Sequence, residues 1–228
     1  MEQKQHIPDK PLKFSLFLTK PFWIWAALSV LFVVIAQALE TSTYFIFKEL
    51  IDTASGFSSG QAAANAVLIW IILYPIAAVG HSLMYRASGL TAMQWLMNMQ
   101  KYGRDVLFKY LSLHSHNYFA DRFAGSLSSK IWNATDGVGD LTGTFLWEYL
   151  NLGVAFLGSL VLVYLASPML AGVYIFWIVV LLSISYTLAK RNARLSQERS
   201  EQRTRTAGTI VDVVTNITAV RQFARRAL

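Results

Sequence analysis

Four stretches of this 228-residue chain are each long enough and apolar enough to cross a lipid bilayer, and no other feature constrains the fold so tightly. A spanning helix needs about 20 mainly apolar residues, because in hydrocarbon every backbone N–H and C=O must find its partner within the segment. The first stretch is residues 22–47, FWIWAALSVLFVVIAQALETSTYFIF, and the second lies within residues 62–85, around VLIWIILYPIAAVGHSLMY. The third is residues 144–166, TFLWEYLNLGVAFLGSLVLVYLA, and the fourth residues 168–189, PMLAGVYIFWIVVLLSISYTLA. A chain this small has too little polar surface to cover four such helices in water. The sequence therefore predicts an all-α membrane protein.

Charge placement predicts the orientation. Only 14% of residues are charged, yet the net charge is +7. Of twenty Lys and Arg, four precede the first span, six lie between the second and third, and nine follow the fourth. Only Lys48 falls between the first and second. The positive-inside rule then puts both termini and the central segment in the cytoplasm, as expected for a multi-pass protein of the inner or plasma membrane. The basic excess is accounted for without a nucleic-acid partner. No cysteine is present, so disulfides and thiolate metal sites are excluded. The first 21 residues contain no short apolar core followed by a small-residue cleavage site, so no signal peptide is expected.

The connections differ on the two sides. Ser167-Pro168 is nearly all that joins the third and fourth stretches, and Ser at an N-cap followed by Pro at the first helical position predicts a tight helical hairpin. The cytoplasmic segments, residues 86–143 and 190–228, are long. In the first, Leu90, Met93, Leu96, Met97, Val106, Leu107, Tyr110 and Leu111 recur at helical spacing. A helical extension of about 25 residues would carry the second span about 35–40 Å beyond the membrane. The second ends in a stripe of Val211, Val214, Ile217, Val220 and Phe223.

Two long descending and rising helices need a turn, and SLHSHNYFADRFAGSL sits where it belongs. Ser115 or Asn117 can cap a short helix bearing Tyr118 and Phe119, with Gly125 allowing the chain to re-enter the rising helix near Ser126. Exposed aromatics at the tip of a stalk make sense when a partner has a groove to receive them.

The run RDVLFKYLSLHSHNYFADRFAGSLSSKIWNATD resembles the first intracellular loop of ATP-binding-cassette (ABC) exporters. Arg104, Phe108, Tyr118, Phe119, Gly125, Leu127, Ser129, Lys130 and Asp136 fit its pattern. The terminal IVDVVTNITAVRQFARRAL is similar to the stretch leading to the second coupling helix, and KPLKFSLFLTKPFW looks like the amphipathic elbow before the first span. The resemblance implies an elbow over residues 1–21 and, over residues 22–228, part of an exporter-like transmembrane bundle with about four of the usual six spans. It implies that Ser115, Asn117, Tyr118, Phe119, Asp121 and Arg122 form a coupling helix that docks on a nucleotide-binding domain. It further implies a second transmembrane domain, in a homo- or heterodimer, and alternating access for a hydrophobic or amphipathic substrate. No G-x-x-x-x-G-K-[ST] phosphate loop and no LSGGQ signature occur, so no catalytic residue is assigned here, and ATP and Mg²⁺ would be held by the separate ATPase domain. Two other readings fit the helix layout: a proton-coupled peptide importer, and a membrane scaffold that recruits a cytoplasmic partner without transport.

Two residues inside the spans are cavity candidates. Glu40, about 27 Å along the first span, is either a cavity or proton-linked carboxylate or a solvated interfacial group beside Thr41, Ser42 and Thr43. His81 either lines the cavity or bonds a carbonyl of a neighbouring helix, the second reading being preferred. Trp147 and Glu148 read as interfacial anchors at the inner end of the third span. His114 and His116 do not share a helix face, and no metal site is expected.

Overall fold

The computed structural model describes residues 7–8, 10–55, 61–120 and 124–224, and every regular element among them is helical. The chain divides into two units, Met1–Leu165 and Ala166–Leu228. Four of its helical runs are long and apolar enough to span a membrane: Pro11–Ser55, Val67–Ser112, Gly125–Ala166 and Pro168–Thr215.

The first unit opens with α1 (Pro11–Thr19), started by Pro11 at a position whose N–H would have no helical partner. A 3₁₀ turn, Lys20–Phe22, links it to α2 (Trp23–Ser55). Pro21 lacks the N–H that would continue the α pattern, so the helix tightens there instead of running through unchanged. Helix α3 (Gln61–Ser112) has 52 residues and runs continuously past Pro75. At 1.5 Å per residue it is about 78 Å long, well over twice the thickness of a bilayer's hydrocarbon core. After the short α4 (His116–Ala120) the chain returns through α5 (Ala124–Thr144), a π-helical segment (Phe145–Leu150) and α6 (Asn151–Ala166).

Helices α2 and α3 run antiparallel and touch along much of their length. Ser29 Oγ meets Thr91 Oγ1 at 3.0 Å, His81 Nδ1 lies 3.0 Å from Ala36 O, and the Phe45 and Trp70 rings meet edge-on at 6.5 Å. The seam is built of small residues: Ser29, Ala36, Ala77, Ser88 and Ala92 are all buried. Lipid tails are as apolar as leucine, so helices in membranes associate through close backbone approach and hydrogen bonds rather than by hiding large side chains.

The packed core lies lower, where the elbow helix α1 joins the stalk. Phe14 and Leu18 from α1 pack with Val33, Ala92, Trp95, Met99, Val138 and Leu146. Ser15 Oγ bonds Thr142 Oγ1 at 3.1 Å, tying the elbow to α5. Leu12 and Leu16, on the other side of α1, are about two-thirds exposed, so this elbow is apolar on both faces.

The second unit is α7 (Pro168–Thr215) and α8 (Ile217–Ala224). Ser167 occupies the N-cap position with extended backbone, and its carbonyl accepts from the Ala171 N–H at 3.1 Å, but its hydroxyl makes no capping bond. The expected terminal stripe is interrupted. Asn216 closes α7 by donating from both its backbone N–H and its side-chain amide to the Asp212 carbonyl, each at 3.0 Å.

Candidate functional site

At the tip, α3 ends in a turn that His114 closes. Its Nδ1 lies 3.1 Å from Tyr110 O and 3.2 Å from Leu111 O, so the ring adds a second donor to carbonyls that already accept from the Leu113 and His114 N–H groups of the closing turn. The imidazole sits between Tyr110 (centroids 5.0 Å apart) and Tyr118 (4.4 Å), and Tyr118 meets Phe119 edge-on at 5.7 Å. Four rings thus form a continuous chain of edge-on and tilted contacts from the end of α3 into α4. Among the described residues, no three His, Cys, Asp or Glu side chains gather as a metal site.

The aromatic pair does not simply project. Tyr118 is half-buried against His114, and Phe119, 37% exposed, lines a cavity of about 420 Å³ between α3 and α5 with Phe108, Leu111, Leu127, Ile131 and Trp132. Phe108 and Leu113 remain about two-thirds exposed, so the tip still offers apolar surface. Ser115 is exposed; its carbonyl accepts from the Tyr118 N–H at 3.0 Å and starts α4. The side chain of Asn117, and Asp121 and Arg122 altogether, lie outside the described residues. Among the described residues helix α5 runs from Ala124, and no described glycine has positive φ. Gly125 itself is helical, within α5.

Above the tip, α3 and α5 are clamped together. The Arg104 guanidinium lies 3.8 Å from the centre of the Trp132 ring, donates to Asp136 Oδ1 at 3.1 Å and reaches Thr135 Oγ1 at 3.4 Å. In the sequence Arg104 and Asp136 fit one pattern separately; the structure brings them together across 32 positions of chain.

Within the spans, Gln37, Glu40, Thr41 and Tyr44 of α2 face Glu148, Asn151, Leu152, Ala155 and Ser159 across a cavity of about 520 Å³. Both sets recur at helical spacing, so each was legible as one helix face; that the two faces oppose each other was not. Glu148 sits in the π-helical segment, a widened turn that often marks functional sites. It also lines this cavity. Glu40 lies 3.9 Å from His81 Nδ1, too far for a hydrogen bond, and that nitrogen donates instead to the Ala36 carbonyl.

Comparison with known families gives one decisive match: the model of the ABC transporter transmembrane region fits residues 26–227. The chain belongs to this family. A search of curated proteins gave no match. Membership in the ABC transmembrane family implies a multi-pass membrane protein that associates with a nucleotide-binding domain.

In this ABC transmembrane domain, the Arg104 clamp joins the two stalk helices that carry the tip. Its acid is half exposed, so the ion pair alone is worth little. The planar guanidinium stacked on Trp132 adds what an ammonium does not. Replacing Arg104 with Lys is expected to lower stability by about 1 kcal/mol, against less than about 0.5 kcal/mol for Asp136→Asn. Unfolding midpoints in detergent check this, and equal losses for the two would show that stacking contributes nothing.

Proposed function

We propose that this chain lines the substrate path of an ATP-driven exporter and carries closure of separate nucleotide-binding domains to the membrane. The observation that supports the reading best is the stalk itself. Helix α3 runs far beyond the length a bilayer needs, turns through the five-residue α4, and returns as α5. A helix that long, tipped by apolar surface and braced by Arg104, is a lever whose end has to be gripped to be useful.

In this reading the tip faces the cytoplasm, where the basic residues lie, and α4 docks on the ATPase domain. Ser115, Tyr118 and Phe119 form its described contact surface, with Asn117, Asp121 and Arg122 beside them in sequence. ATP and Mg²⁺ bind the ATPase domain, a second transmembrane domain completes the path, and the cargo is hydrophobic or amphipathic. One observation bears on the proton-coupled alternative: Glu40 and His81 are near neighbours. The His81 nitrogen nearest Glu40 is, however, occupied by the Ala36 carbonyl, which fits a helix clasp better than a proton relay.

The test is Tyr118→Ala with Phe119→Ala in the complete transporter. ATP hydrolysis should persist, while ATP-driven transport and substrate stimulation of hydrolysis fall by about tenfold or more, as loss of an aromatic hot spot does. Transport and stimulation at wild-type levels would sink docking by this loop.

A further inference from the structure

Ionisable side chains are rare inside spanning helices and are kept there for a function. The cavity between α2, the π-helical segment and α6 has two, Glu40 and Glu148, and no Lys or Arg among its lining residues. A second observation points to a ligand. Gln37 is 93% buried, being only 7% exposed, and it lines the same cavity. None of the described residues hydrogen-bonds its carboxamide, yet that group is not sealed off: the sole buried, partnerless side-chain polar atom among the described residues is Trp95 Nε1. Gln37 therefore lines the cavity with the bonding capacity of its amide unspent among the described residues. A buried amide of this kind is retained where something supplies the missing partner.

From these features we infer that this cavity is a binding site for an amphipathic organic cation. The inference rests on the transport-path reading above and names the cargo's charge. The two carboxyl groups favour a positive head and disfavour an anion. The Gln37 amide oxygen accepts from an N–H or faces the cation's charge. The Tyr44 ring, Leu152 and Ala155 supply apolar wall for the body, and an aromatic face adds attraction for a desolvated cation. A volume of about 520 Å³ suits a drug-sized molecule. A bare divalent ion would need several close oxygen ligands, and no group of three acidic or imidazole side chains gathers among the described residues.

The experiment is equilibrium dialysis of radiolabelled tetraphenylphosphonium against the full chain in lipid nanodiscs, with empty nanodiscs subtracted. Tetraphenylborate, of the same shape and opposite charge, is the competitor. Saturable phosphonium binding that tetraphenylborate does not displace is expected. Glu40→Gln and Glu148→Gln, close in shape to the originals, should each weaken it about tenfold, and Gln37→Leu about threefold, in line with lost charge-assisted and neutral bonds. Glu148→Asp, which keeps the charge, should stay within about threefold of wild type. Wild-type affinity in all three neutral variants, or displacement by tetraphenylborate, would overturn the site, and the second result requires no variant to fold. Because the assay uses no ATP, binding that persists without ATP-driven transport would sink only the exporter reading.

Discussion

Gly103→Leu is expected to unseat the elbow helix from the stalk. A Cβ at position 103 would lie 2.9 Å from Leu18 Cδ1 and 3.1 Å from Thr135 Cγ2, before any of the rest of a leucine is added. Neither neighbour has room to yield, since Leu18 and Thr135 are both fully buried. Thr135 is also held by its hydroxyl, which bonds the Ile131 and Trp132 carbonyls at 3.1 and 3.0 Å. The added volume must push α1 outward and expose the core formed by Phe14, Leu18 and Met99. Overpacking of this kind costs about 3 kcal/mol or more. The thermal midpoint in detergent should fall clearly, and trypsin should cut after Lys13 faster than in the wild type, because an undocked α1 frays. Leu18→Ala in the same chain should recover part of the loss by vacating the space, a coupling that a double-mutant cycle measures. Unchanged proteolysis and midpoint would mean that the elbow does not rest on Gly103.

Gly158→Leu is expected to part α2 from α6. A Cβ there would meet Thr41 Oγ1 at 2.7 Å, Thr41 Cγ2 at 2.8 Å and Thr41 Cβ at 3.2 Å. The last of these atoms is fixed to the α2 backbone, so no rotamer change of Thr41 relieves the clash; the helices have to separate. Small residues at such crossings set the spacing in membranes, and a larger side chain moves axes apart by about 2 Å within the usual range of interhelical distances. The chain has no cysteine, so spin labels can be placed at Ser42 and Leu157, both exposed, without background. The distance between them should lengthen by about 2 Å in the variant, and Thr41→Ala should partly restore it. The same displacement would open the cavity that Gln37, Glu40 and Ser159 line, so phosphonium binding offers a second readout. A label distance equal to wild type would show that α2 and α6 do not meet at this crossing.

Much of the chain's layout was legible in residues alone, because the signals involved are local. A run such as VLIWIILYPIAAVGHSLMY reads as a spanning helix whatever surrounds it, since the bilayer demands internally satisfied backbone. The tip was also readable, from Tyr118, Phe119 and the turn-forming residues around them. Where residues partnered across the chain was harder to read. His81 was expected to find a neighbouring helix's carbonyl, but nothing in the sequence pointed to Ala36. Phe119 looked like a projecting anchor; it is partly exposed and also lines the cleft between α3 and α5, which its own segment did not reveal. Gln37 carried no signal of its own, because a glutamine in a polar-flanked span reads as an ordinary helix surface.

The sequence by itself determined that this chain is a bundle of spanning helices with long basic extensions and an apolar tip. Composition and periodicity decide those features one segment at a time. Only the tertiary structure decided that Arg104 clamps Trp132 and Asp136, that Gly103 lets the elbow seat, and that Glu40 and Glu148 share a cavity with an unpartnered amide. The reason is geometric: which faces of two helices meet depends on where small residues such as Ser29, Ala36 and Gly158 let the backbones approach. That is a property of pairs of segments, which no single segment encodes.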